Sequence, residues 1–198
     1  LLFALLCVAG ALLYRQIKSS GAFLNAEPRS VTARGDLAAD EKTTIEIFRE
    51  AAPSVVHITS VAVRQHVFTM RVLEIPAGTG SGFVWDDQGH IVTNLHVVRG
   101  AQRATVTLAD NSNYEAELVG YDISNDLAVL KIDAPAGVLK PIAIGESHDL
   151  LVGQKVFAIG SPFEFDHTLT TGVIGGLNRS ILTGESGESR IHGAIQTD

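Results

Sequence analysis

Two residues of the chain, His96 and Asp126, have the types and spacing of an acid–base pair. His96 follows a short run, HIVTN, that is typical of a β-strand, and Asp126 precedes another, LAVLKI. A histidine held rigidly at a strand end can act as a general base, and an aspartate on its other ring nitrogen fixes the tautomer and stabilises the imidazolium. The chain has seven histidines, so this pair alone is only a hypothesis.

Four blocks of sequence surround the pair and strengthen it. They are GTGSGFVWDDQGHIVTNLHVV, LVGYDISNDLAVLKI, LLVGQKVFAIGSPFEFDHTLTTGVIGGLNR and AIQTD. In this order, with His before Asp as in chymotrypsin-like enzymes, they closely resemble the HtrA/Deg family of trypsin-like serine proteases. The resemblance runs from about Ile45 to Asp198.

The resemblance implies an all-β, chymotrypsin-like double β-barrel with a catalytic histidine and aspartate at His96 and Asp126. The nucleophilic serine of the family lies in a GNSGG block a short way beyond the QTD segment, so we expect it after Asp198, and we expect the second barrel to be incomplete. Leu95 and Asn125 differ from the residues common in the family, but neither change removes a functional group.

The implied function is that of a serine endopeptidase of protein quality control, which degrades misfolded proteins and needs no cofactor or metal. Family members often form trimers and often carry PDZ domains. The resemblance also implies an exported protein, anchored or secreted on the periplasmic side of the inner membrane, or at the equivalent place in an organelle. The alternative is a non-catalytic relative that binds unfolded chains as a chaperone or scaffold. A GNSGG block beyond Asp198 would distinguish the two.

The elements that would position the pair are short β runs, which begin at Ser54. Regular short runs separated by turn residues favour a barrel or sandwich over a parallel α/β sheet. Before them, Thr43 and Glu46 form a predicted capping box for a short helix that Pro53 ends. The predicted domains are a hydrophobic segment at 1–14, a linker at 15–40, the helix and first barrel at 41–135, and a partial second barrel at 136–198.

The two ends and the overall charge limit the classes of protein. Leu1 to Tyr14 is apolar and uncharged, but it is shorter than the roughly 20 residues that span a bilayer, so a membrane anchor and a signal peptide both remain open. A single cysteine, Cys7, excludes a disulfide within the chain. The formal net charge of −7, with no cluster of Lys or Arg, argues against a nucleic-acid surface.

The local sequence around several other residues is superficially similar to catalytic or metal-binding motifs. Ser186, in GESG, resembles a serine block, but its Gly/Ser/Glu surroundings predict a polar surface loop. Ser81, in GTGSGF, lacks the glycine spacing of a nucleophile elbow and is predicted to lie in a barrel turn. His90, His96 and His148 lack the spacing of zinc ligands, so no metal site is predicted, and we interpret His57 as structural.

Overall fold

The computed structural model describes most of the chain: Gly10, Tyr14, Arg15, and residues 35–65, 72–163, 166–183 and 189–198. Apart from Gly10 and Tyr14, the predicted segment Leu1 to Tyr14 lies outside these residues, and so does Ser186. Among the residues described, no helix is both long enough and apolar enough to cross a membrane. Ala39 to Asp198 form one compact unit.

The unit begins with helix α1, Ala39–Ala51. The capping box predicted at Thr43 is wrong, because Thr43 lies inside the helix and its Oγ1 donates to the carbonyl of Ala39 at 3.0 Å. The first turn contains Asp40 and Glu41, whose charges favour the positive end of the helix dipole and extend the helix into the predicted linker. Pro53 ends the helix as expected, in the 3₁₀ turn Ala52–Ser54.

Six strands then form a closed barrel in the order β1-β2-β3-β6-β5-β4. Every neighbouring pair is antiparallel, and β4 closes the barrel against β1. Of the segment 64–77, predicted as a loop or hairpin arm, the described residues 64–65 and 72–77 lie in β1 and β2, which pair as a hairpin. The strands are β1 Val55–Gln65, β2 Val72–Val84, β3 His90–Asn94, β4 Arg103–Thr107, β5 Asn113–Asp122 and β6 Leu127–Ile132.

The barrel is filled by aliphatic side chains at alternate strand positions. Because successive side chains of a strand point to opposite faces, β6 buries Ala128, Leu130 and Ile132 and turns the residues between them outward. β3 buries Ile91 in the same way. These residues belong to one continuous core, which also includes Val56, Ile58, Val84 and Val106.

Three further strands form a second sheet, in the order β7-β8-β9. They are β7 Lys155–Phe163, β8 Asp166–Thr183 and β9 Ser189–Thr197. A segment without strands, residues 133–154, joins the barrel to this sheet and includes the predicted connection at 133–139. A closed barrel followed by part of a second one is the arrangement that the all-β, chymotrypsin-like prediction requires.

Hydrogen bonds tie the second sheet to the barrel at Ser161 of β7. The buried ring of His57 donates from Nδ1 to the carbonyl of Ser161 at 2.6 Å. The N–H of Ser161 donates to Ser81 Oγ at 2.8 Å. Ser81 therefore lies within β2, paired with His57, and its predicted place in a turn is wrong. His57 is structural, as the sequence indicated.

We expect His57→Ala to lower the free energy of unfolding by about 1–3 kcal/mol, because the substitution removes the donor to a buried carbonyl. Urea unfolding at neutral pH measures the loss. His148→Ala is the control: its exposed side chain pairs with the exposed side chain of Glu146, so its effect should stay within about 0.5 kcal/mol. Equal effects of the two substitutions would contradict this role of His57.

Candidate active site

The register of the barrel brings the two predicted site residues together. Strands β3 and β6 are antiparallel neighbours, and Asn94 at the end of β3 pairs with Leu127 at the start of β6. His96 lies two positions after Asn94, and Asp126 lies one position before Leu127. The same edge of the barrel therefore carries both side chains, although 30 residues separate them along the chain.

His96 lies in a single helical turn, α2, Leu95–Val98. The residue at its N-cap, Asn94, forms no capping hydrogen bond with this helix. Asp126 satisfies the first N–H groups instead. Its carbonyl accepts from the Leu95 N–H at 3.0 Å, and its Oδ1 accepts from the His96 N–H at 2.9 Å. Asn94 Nδ2 also donates to the Asp126 carbonyl, at 3.0 Å. Asp126, in the loop between β5 and β6, therefore caps the N-terminus of α2.

The ring of His96 is held by the second carboxylate oxygen of Asp126. Nδ1 of His96 lies 2.6 Å from Oδ2 of Asp126, and only a proton on Nδ1 makes this a hydrogen bond. In the neutral ring, Nε2 then carries a free lone pair. The side chain of His96 is 69% exposed, so this lone pair can reach a group outside the barrel. The arrangement is that of a general base with an orienting carboxylate.

The carboxyl of Asp126 has a lowered pKa. Partial burial is the largest influence and raises the pKa, because it disfavours the charged form. The hydrogen bonds from the His96 ring and amide, together with the charge on the ring, outweigh burial and lower the pKa below its ordinary value. Asp126 is therefore ionised at neutral pH and can stabilise a protonated His96.

The loop between β5 and β6 gives Asp126 the backbone shape that this double contact needs. Asp126 has a φ of 54°, in the left-handed region that Asp tolerates better than most residues. Asp122, at the end of β5, supports the loop: its Oδ1 accepts from the Ser124 N–H at 2.8 Å, and its Oδ2 accepts from Asn125 Nδ2. Sequence reasoning missed Asp122, although an aspartate two residues before a serine is a signal of such a turn.

Two glycines of β2 let the turn that carries His96 pack against the barrel. A Cβ on Gly78 would lie 2.9 Å from the carbonyl oxygen of Val97, and one on Gly80 would lie 2.5 Å from Val97 Cγ2. Real Cβ atoms do not approach other atoms so closely. The sequence marked these glycines as an entry to the motif, and the structure shows that their lack of a side chain makes room for α2.

A second histidine–aspartate pair, His90 and Asp86, has a local role. His90 Nδ1 lies 2.6 Å from Asp86 Oδ2, and Asp86 Oδ1 accepts from the N–H groups of His90 and Gln88. These bonds close the turn from Asp86 to Gly89 that the sequence predicted. In the described ranges, no three metal-ligating side chains lie together.

A groove of about 700 Å³ lies between the barrel and the second sheet. Its walls are mainly apolar. They include Ile47 and Ala51 of α1, Phe157 of β7, and Asn94 and Leu127, which flank the pair. Within the described part of the chain, no hydroxyl group is hydrogen-bonded to Nε2 of His96.

Comparison with known proteins places residues 80–198 in the family of the trypsin-like peptidase domain. "Protease Do-like 1, chloroplastic" of Arabidopsis thaliana is 55% identical over 196 residues, which are 99% of this chain and 44% of that protein. "Probable periplasmic serine endoprotease DegP-like" of Halomonas elongata is 50% identical over 102 residues, 52% of this chain and 21% of that protein.

The crystal structure of Deg5 is similar as well, with a TM-score of 0.66 and 43% sequence identity. The match covers 83% of this chain and 76% of that one. It supports the chymotrypsin-like interpretation of the barrel and second sheet. The chain spans about half the length, or less, of the curated relatives that it matches.

We expect His96→Ala to raise the pKa of Asp126 towards its ordinary value, because the ring supplies a hydrogen bond and a charge that lower it. Titration of the carboxyl ¹³C resonances by NMR measures this change. Asp110 is the internal control, since hydrogen bonds from Ser112 lower its pKa independently of His96. An unchanged Asp126 titration would contradict the assigned contact.

We expect Gly80→Ala to lower the free energy of unfolding by about 1–3 kcal/mol, because the new methyl group overlaps Val97. It should also broaden the ring resonances of His96 by displacing α2. Gly145→Ala is the matched control, because a Cβ at Gly145 meets nothing within 4 Å. The packing role of Gly80 is wrong if both variants unfold like the parent.

Proposed function

The chain belongs to the HtrA/Deg family of trypsin-like serine proteases, and we propose that it supplies the histidine and aspartate of a serine endopeptidase. The observation that carries this proposal is the 2.6 Å contact between His96 Nδ1 and Asp126 Oδ2, which leaves Nε2 free at an exposed ring. The names of the relatives support the same reaction class, since they are proteases.

In the proposed reaction, His96 Nε2 removes the proton from a serine hydroxyl as its oxygen attacks the peptide carbonyl. His96 then returns this proton to the leaving amine. Asp126 keeps the ring in the tautomer that can accept the proton, and its charge stabilises the imidazolium. The low pKa of Asp126 suits this role, because a protonated carboxyl would give neither effect.

The serine itself is proposed to lie beyond Asp198, in a GNSGG-like block that follows the QTD segment in the family. Backbone N–H groups near that serine would bind the oxyanion. Gln196 and Thr197 are the last residues of β9, and Asp198, which follows them, accepts at Oδ1 from the Val173 N–H at 2.6 Å.

We propose unfolded or misfolded polypeptides as substrates, by family resemblance and because the groove lined by Asn94 and Leu127 is mainly apolar. A homotrimer and an N-terminal membrane anchor are proposed on the resemblance alone. An exported or organellar location is proposed because one relative is named periplasmic and another chloroplastic.

The test uses the chain extended to its natural end. The extended protein should cleave casein, and Asp126→Asn should reduce kcat roughly 10⁴-fold, because an amide favours the wrong tautomer of His96. The 198 residues alone should show no cleavage, since removing the nucleophile costs several powers of ten in rate. An extended enzyme that stays fully active with Asn at position 126 would contradict the assignment.

Ser186→Ala is the matched control for the nucleophile. The sequence predicts Ser186 in a surface loop, so this substitution should leave casein cleavage almost unchanged. Thermal melts of both variants and the parent separate a folding defect from a chemical one. An extended protein that binds unfolded casein without cleaving it would favour the chaperone or scaffold alternative.

A further inference from the structure

The single helical turn that carries His96 is not stable by itself. α2 contains four residues, Leu95–Val98, and one turn gains too few internal hydrogen bonds to offset the entropy of ordering it. Its position must therefore be set by contacts with the rest of the barrel. At its N-terminal end these contacts come from Asp126, as described above.

At its C-terminal end, the contact comes from Ser60 of β1. Ser60 is completely buried, with 0% of its surface exposed, in a barrel filled mostly by aliphatic side chains. Its hydroxyl donates to the carbonyl of Val97 at 2.7 Å, and the carbonyl of Gly78 lies 3.2 Å from the same oxygen. The Val97 carbonyl belongs to the last turn of a helix, where carbonyl groups lack partners within the helix.

The strand pairing is interrupted at the same place. The register of β1 and β2 shifts between Ser60 and Val61: Ser60 pairs with Gly78, and Val61 pairs with Pro76. Ala77 is thus an extra residue on β2, and such a bulge redirects nearby side chains and bends the strand. The bulge adjoins Ser60 and Gly78, and the Ser60 hydroxyl and the two glycines of β2 all approach Val97, the residue after His96.

We propose that Ser60 is a positioning residue for His96. Its hydroxyl holds the Val97 carbonyl against β1, while Asp126 holds the first two N–H groups of the same turn. With both ends fixed, the backbone of His96 keeps its amide on Asp126 Oδ1 and its ring on Oδ2. The link to catalysis rests on the proposed function, whereas the link to His96 geometry does not.

Amide hydrogen exchange of Ser60→Ala in the 198-residue chain tests the structural part. The His96 N–H, bonded to Asp126 Oδ1 at 2.9 Å, should exchange about five to ten times faster, because its turn has lost one anchor. The His90 N–H is a matched reference, since it donates to the carboxylate of Asp86 at 3.0 Å in a turn distant from Ser60 in sequence. Its exchange should not change.

Ser54→Ala is the control variant, because Ser54 is also a buried serine but lies in the 3₁₀ turn before β1, whereas the hydrogen bond to the Val97 carbonyl comes from Ser60. It should leave the exchange of both amides as in the parent. The proposal is overturned if Ser60→Ala leaves His96 exchange unchanged, or accelerates His90 equally. It is also overturned if Ser54→Ala reproduces the effect on His96.

Kinetics of the extended protein test the catalytic part. Ser60→Ala should lower kcat by about tenfold and leave KM unchanged, because a misplaced base slows proton transfer without altering substrate contacts. A change confined to KM would overturn the proposal. If exchange at His96 accelerates but the parent cleaves no peptide, Ser60 positions His96 as proposed and the proposed protease function is wrong.

Discussion

The double contact between Asp126 and His96 is the constraint on which this site depends. One carboxylate oxygen accepts from the backbone of His96 and the other from its ring, while the carbonyl of Asp126 accepts from Leu95. A single residue therefore caps the turn, aims the ring and selects the tautomer. Any shift of β3 against β6 would break all three contacts at once, so the geometry of the site depends on the register of the barrel.

Close packing provides the second constraint. The turn that carries His96 lies so near β2 that Gly78 and Gly80 have no room for a side chain. Leu95 is buried with Val97 and Val98 in the barrel core. The apolar side of the turn is therefore fixed by burial, and the polar side presents His96 to solvent. Rigid support of this kind keeps a general base in place without help from the substrate.

The two histidine–aspartate pairs show why contact geometry alone does not identify a catalyst. His90 and Asp86 have the same 2.6 Å contact between the same atoms as His96 and Asp126. The first pair closes a turn within one segment and is only 30% exposed at the histidine. The second joins two strands of the barrel and leaves the ring 69% exposed. Exposure of the ring therefore distinguishes His96, the proposed general base, from His90, which closes a turn.

The sequence alone determined the all-β class and most strand positions, because alternating apolar residues and turn residues favour strands and turns through local interactions. The pairing of His96 with Asp126 followed from the order of the motifs. The sequence placed Ser81 in a turn and the helix start at Thr43, and both were wrong, because strand length and helix start depend on contacts with distant residues. Only the tertiary structure shows Ser161 between His57 and Ser81, and Ser60 beneath Val97. Hydrogen bonds between segments that lie 37 or more residues apart leave no periodic trace in a sequence, since they form only when the barrel closes.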